Sequence, residues 1–281
     1  MSAVFILTRL TLLEASRRRM LLVALLMGAA FLALFNLGFY FMLPNVVAGA
    51  DETGSVGVGT GEFFNFVLMA GLYAVNFLSI AMGALLAADT LSGEVSTGTI
   101  QAIAVKPIRR SSIVFGKWLA FAILLAAYQV LLAWGVILSV WLQAGYIPPN
   151  PIPGLALIYM EAILIMTLTM ACSSRLTALA TGGMIFGLYG IAFLGGWVEQ
   201  FGSFSQNSTA IQVGIVSSLI IPSEALWKRA AFEMTAPLVR LLGFSPFSSP
   251  SVPSNLMIVY AGAYILATMG VTLWSFGRRD L

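Results

Sequence analysis

Histidine is absent from the 281 residues, and cysteine occurs once, as Cys172. The first absence removes His-ligated metals, histidine general bases and histidine proton relays. The second removes any internal disulfide, and the two together leave little from which to build an intramembrane enzyme. Cys172 lies near the end of an apolar run and reads as a packing thiol. Charge is scarce as well: Asp, Glu, Lys and Arg make up 9% of the chain, where soluble domains carry roughly 25%. So few charges cannot cover a water-facing surface, and the 59% of apolar residues must face lipid or other apolar helices. No Gly-x-x-x-x-Gly-Lys-Ser/Thr stretch occurs, since Gly116-Lys117 is followed by Trp118, and so no phosphate-cradling loop is encoded. The net charge of +3, with no charge run longer than three residues, gives nucleic acid no footing.

What is present is a succession of apolar runs long enough to cross a bilayer, which takes about 20 residues each. They fall at 20–43, 63–88, 113–142, 155–173, from the turn at Ser173–Thr177 to about 197, and 255–276. Ahead of them, residues 2–19 mix Val4, Phe5, Leu7, Leu12 and Leu13 with Arg9, Glu14 and Arg17 to Arg19, the composition of a helix lying along the headgroups. Ala48-Gly49-Ala50 resembles a signal-cleavage site, but the run before it exceeds the roughly 7 to 15 residues of a signal peptide core. Gly-rich 44–62 reads as a loop, and prolines keep 146–153 out of helix. Residues 199–254 form a long insert. Its apolar stretch 211–221 is too short to cross, and Pro222-Ser223 opens a helix carrying Glu224, Trp227, Lys228, Arg229 and Glu233. This predicts a re-entrant or interfacial helical hairpin, with a small folded cap as the other reading. The expected fold is therefore an all-α polytopic membrane protein: one domain over 1–281, an N-terminal interfacial helix, six transmembrane helices, and a helical insert before the last.

Charge sets the expected orientation in the cell membrane. With both termini in the cytoplasm, eleven of the fourteen basic residues fall on that side, leaving Lys228, Arg229 and Arg240 outside. Asp51, Glu52, Glu62, Glu199, Glu224 and Glu233 then lie outside too.

The most informative connection is 89–112, continuing to Lys117. Gly93 and Gly98 permit turns, Ile100, Ile103 and Ala104 make one apolar face of a short helix, and Pro107 ends it. Ser111 or Ser112 can cap the helix that re-enters the membrane. A short amphipathic helix tied to two spans suits docking to a partner, although composition alone also allows an ordinary basic loop. The segment resembles the signature of permeases of the type-2 ABC exporter class: Ser92-Gly93-Glu94, Gly98-Thr99, Pro107 with Arg109-Arg110, then Gly116-Lys117. Glu14 with Arg17 to Arg19 is similar to that family's N-terminal elbow helix, and Arg278-Arg279-Asp280 to its C-terminal tail. The chain departs from the family in lacking a second charged residue just after Glu94. It looks similar to the permeases of nitrous-oxide-reductase maturation within that class. The resemblance implies a homodimer, or a pair with a related permease, each copy docking a separate P-loop ATPase that binds ATP and Mg. Residues 93–106 would be the coupling helix, with Gly93, Glu94, Gly98, Thr99, Ile100, Ile103 and Pro107 shaping it and Glu94, Arg109 and Arg110 as polar contacts. Export of a hydrophobic or amphipathic solute is likewise implied by the resemblance.

Other residues invite separate readings. Glu161, about two turns into the fourth span, is a candidate for a substrate pathway, or a structural hydrogen bond at shallow depth. It is also the footing for the rival class, a secondary transporter; a non-transporting membrane anchor for an ATPase is a third reading. Asn36, Asn76 and Gln129 read as interhelical hydrogen-bonding residues. Gly183 and Gly187 form a Gly-x-x-x-Gly pair suited to a dimer seam or to a helix of the same chain. The thirteen methionines are scattered and read as gap fillers rather than a metal path. Reversing the charge of Arg109 and Arg110 together should weaken ATPase docking and leave membrane insertion unchanged, as read by pull-down and membrane fractionation.

Overall fold

The computed structural model describes residues 3–17, 19–53, 58–88, 90, 109–237 and 252–278. Among these all regular structure is α-helix: α1 Ala3–Arg17, α2 Arg19–Thr53, α3 Val58–Ala88, α4 Arg110–Ala144, α5 Pro151–Ser173, α6 Ala178–Phe204, α7 Ser208–Ile220, α8 Ser223–Met234 and α9 Asn255–Gly277. Six of these, α2 to α6 and α9, are long and apolar enough to cross a membrane. The α7–α8 pair is bent by 106° at Ile221-Pro222, where Pro222 has no N–H to carry the helix on. The expected architecture of interfacial helix, six spans and helical insert is the one observed.

The elements differ from expectation at three boundaries. Helix α2 runs through Pro44 to Thr53, and α3 starts at Val58, so most of the expected 44–62 loop is helix. Proline removes one backbone hydrogen bond, and residues 45–50, all without charge, carry the helix on. Helix α5 begins at Pro151, because proline in a first turn gives up only an N–H that would have had no partner. Helix α6 continues past 197 to Phe204, ending at Gln206 in a left-handed conformation (φ 51°).

The centre of the bundle is α3, α4 and α5; their most apolar windows are 56%, 50% and 61% buried, against 6% for α2 and 17% for α9. The outer helices therefore turn residues such as Leu34, Phe41, Leu256 and Leu266 to lipid. Lipid supplies no hydrophobic drive for helices to associate, so α2 is held by close fit. A Cβ on Gly28 would lie 2.9 Å from Leu132, one on Gly135 2.8 Å from Leu32, and one on Gly71 2.6 Å from Phe35. Each glycine is a notch filled by a large side chain of the facing helix. Phe31, Phe35 and Phe39 then form a ladder along α2, and Phe39 meets Phe64 of α3 edge-on with ring centroids 6.1 Å apart.

Helix α1 lies against the start of α4. The Thr8 hydroxyl donates to the Gly116 carbonyl at 3.1 Å, and a Cβ on Gly116 would sit 2.7 Å from Leu7. Phe5, Ile6, Leu10 and Leu13 stay exposed on the other side, as an interfacial helix requires. Gly116→Val should therefore lift α1 off α4 at a cost of about 1–3 kcal/mol, detected as a lower unfolding temperature in detergent and faster proteolysis at the N-terminus.

Candidate functional site: a tied loop end and a polar interior

One end of the bundle gathers the stems of the 91–108 segment. Before it, the Ser173 hydroxyl donates to the Ala88 carbonyl at the end of α3 at 2.8 Å. After it, Arg110 Nη1 donates to the Gly277 carbonyl at the end of α9 at 3.1 Å. The α5–α6 turn joins this cluster. Ser275 of α9 accepts from the Ser174 hydroxyl at 2.8 Å and from Arg175 Nε at 2.9 Å. The Arg175 and Arg278 guanidiniums stand 5.7 Å and 4.6 Å from the centroid of Trp274, each attracted by the indole face. Trp118 Nε1 adds a bond to Thr167 Oγ1 at 2.8 Å, linking α4 to α5 just inside. The stems of the loop are thus bonded to two helices of the bundle, α5 and α9, which are themselves tied at Ser275.

The expected coupling residues fare differently. Gly93, Glu94, Gly98, Thr99, Ile100, Ile103 and Pro107 lie outside the described residues. Arg109 is exposed at the N-cap of α4, in an extended conformation. Arg110 carries the bond to α9.

A second feature lies deep in the bundle. Glu161 is fully buried and is the eleventh of the 23 residues of α5, so it sits at mid-height rather than at the shallow depth expected from a span beginning at 155. Asn76 Nδ2 of α3 donates to Glu161 Oε2 at 3.1 Å. Glu161 Oε1 and Asn76 Oδ1, both buried acceptors, have no hydrogen-bond donor among the described residues. The surroundings are aromatic: Tyr189 and Trp227 are buried nearby, with the Tyr73 and Trp227 rings 4.7 Å apart. Glu224 of α8 lies within electrostatic reach of Glu161.

From there the polar line continues outward through the α6–α7–α8 insert. Glu224 is buried against α6, where a Cβ on Gly196 would come within 2.9 Å of its Oε2. Lys228, one turn further along α8, donates to Glu199 Oε2 of α6 at 2.7 Å, with side-chain exposures of only 5% and 9%. Helix α7 closes on α6 because Gly195 faces Ser217 and Gly214 faces Glu199 with no room for a Cβ. Glu199, Glu224 and Lys228 are therefore buried between α6 and α8. Glu224 and Lys228 share one helix face at i, i+4, a spacing visible in the sequence; Glu199 as their partner across α6 was not.

The Gly-x-x-x-Gly pair is placed on an open face. A Cβ on Gly183, Gly187 or Gly190 would meet nothing within 4 Å, so no helix of the chain among the described residues packs there.

The buried pair yields a sign test. Lys228→Met leaves the Glu199 carboxylate buried opposite an alkyl chain and should cost about 3–5 kcal/mol. The double variant Lys228→Met with Glu199→Gln should recover most of that loss. Thermal unfolding of the purified chain in detergent checks both.

The layout of six spans, an interfacial helix and a tied polar loop after the second span agrees with the comparison to known families. The family model described as ABC-2 family transporter protein matches residues 15–199, which is 185 of the 281 residues, from α1 to the Glu199 position of α6. No curated protein matches the chain. A match over that much of the sequence shows the family: the chain belongs to the ABC-2 transporters and is the membrane component of an ATP-binding-cassette transporter, in a family whose members pair with an ABC ATPase subunit.

Proposed function

We propose that the chain is the permease half of an ATP-driven exporter of a hydrophobic or amphipathic solute. It would lie in the cell membrane with both termini cytoplasmic, dock a separate P-loop ATPase on residues 93–106, and work as a homodimer or beside a related permease. Within the family, it would stand near the group of nitrous-oxide-reductase maturation permeases that it resembles. The observation that carries the coupling reading is the tying of the loop's stems. Ser173 holds the end of α3, and Arg110 holds α4 to α9. A push on the loop from an ATPase is then passed to these helices together instead of being absorbed by a loose tether.

Roles divide on the same geometry. Arg109, exposed at the head of α4, is the polar contact for the ATPase together with Glu94. Arg110 does its work inside the chain. The open face at Gly183 and Gly187 suits the seam with a second permease, since bare glycine lets two helices approach closely. Glu161 with Asn76 supplies a polar station on the substrate pathway, its spare acceptors facing the interior.

A mild-detergent pull-down of the tagged chain from native membranes tests this. A P-loop ATPase should co-purify in stoichiometric amount and be lost when residues 94–106 are scrambled. If the folded chain comes down without any nucleotide-binding partner, secondary transport through Glu161 takes its place. If the ATPase binds but proteoliposomes move no amphiphile with ATP, the chain is a membrane anchor.

A further inference from the structure

A cavity of about 340 Å³ opens between the α6–α8 insert and the start of α9. That volume is within the roughly 300–1,000 Å³ of small-molecule sites. It lies at the end of the bundle opposite the Arg110–Gly277 bond, because Glu199 is near the far end of α6 and Met257 is in the first turn of α9. Its wall has two chemistries. Glu199 and Lys228, the buried ion pair, face it from one side, and Ile215, Val252 and Met257 give it apolar surface.

Such a wall is selective. A carboxylate and an ammonium 2.7 Å apart and nearly dry present one charge of each sign with no net charge. A ligand bearing a single charge gains from one member of the pair and is repelled by the other. A ligand bearing both charges can meet both, its cationic group toward Glu199 and its acidic group toward Lys228. Helix α9 adds to the second half. Ser254, which also lines the cavity, is its N-cap and makes no side-chain cap bond; the Met257 N–H donates to the Ser254 carbonyl at 3.0 Å, so it is the N–H groups of Asn255 and Leu256 that would meet an acidic group. The apolar lining then takes an alkyl portion.

We infer that this cavity binds an amphiphile with a zwitterionic head, the head on the Glu199–Lys228 pair and the start of α9, the tail along Ile215, Val252 and Met257. Naming that amphiphile as cargo rests on the export reading; its binding to the chain does not, and is measured without ATP or ATPase. A failed ATPase pull-down would therefore leave the site standing, and a failed binding test would leave the coupling reading standing.

The test uses the full chain in dodecyl maltoside with occupancy read by native mass spectrometry. Three probes separate head from tail: lysophosphatidylethanolamine, glycerophosphoethanolamine with the same head and no tail, and a monoacylglycerol with a tail and no charge. The lysolipid should bind at least about tenfold more tightly than either of the others. Val252→Trp, which fills the cavity and leaves the pair intact, should lower its binding by a similar factor, as should the double variant Glu199→Gln with Lys228→Met. Equal binding of the monoacylglycerol would show that the ion pair plays no part, and equal binding of glycerophosphoethanolamine that the ligand is a small soluble zwitterion; either overturns the assignment. So would wild-type lysolipid binding by Val252→Trp, a substitution at a partly exposed position that does not touch the buried pair.

Discussion

Apolar helices surrounded by hydrocarbon gain nothing by hiding carbon from water, so this bundle depends on steric fit. The glycine notches follow from that constraint. Gly28, Gly71 and Gly135 let α2 seat Leu132, Phe35 and Leu32 into close contact, although α2 turns most of its surface to lipid. Gly116 does the same for α1 at the head of α4. Backbone groups add the complementary constraint. With no water in the membrane core they must be satisfied within the chain, and helix is the form that does so. The bend at Pro222 is placed where a helix in the insert could stop without orphaning a donor.

Against that apolar background the polar residues divide into two groups with different consequences. At one end, Ser174, Arg175, Arg110 and Ser275 tie the ends of α4, α5 and α9 by short bonds between groups at the bundle's margin. Such bonds make the end move as a unit. In the interior, Glu161, Glu224, Glu199 and Lys228 are buried where a charge is costly, and Lys228 is paired with only one of the carboxylates at hydrogen-bond distance. The α6–α8 insert brings three of these four residues together. Its last helix, α8, is therefore an internal part of the permease, packed on α5 and α6, and its charges line the half of the bundle away from the loop stems.

The two groups also give the family membership its physical content. The match spans α1 to Glu199, the part that builds the loop stems and the central helices. Helices α7 to α9, which complete the ion pair and the cavity beside it, follow the matched region. On the proposed reading, the matched part receives the push of the ATPase, and the part beyond it shapes what is bound and released.

Much of this was legible in the sequence, for a definite reason. Hydrocarbon demands long apolar runs, so scarcity of charge and six such runs determined an all-helical polytopic chain with an interfacial first helix. The Pro222-Ser223 break and the loop signature at 92–117 were equally readable, because a missing N–H and a pattern of glycines act locally. Helix ends at 53, 151 and 204 were not, since proline and glycine permit a stop without requiring one. Only tertiary structure decided which glycines are notches: Gly28 and Gly116 are filled, whereas nothing among the described residues packs on Gly183 and Gly187. It alone decided that Arg110 bonds α9 and that Glu199 meets Lys228 across 29 positions of sequence. A local pattern records what a residue can do, but pairing in the bilayer is set by which helices cross, and that is a property of the whole packed chain.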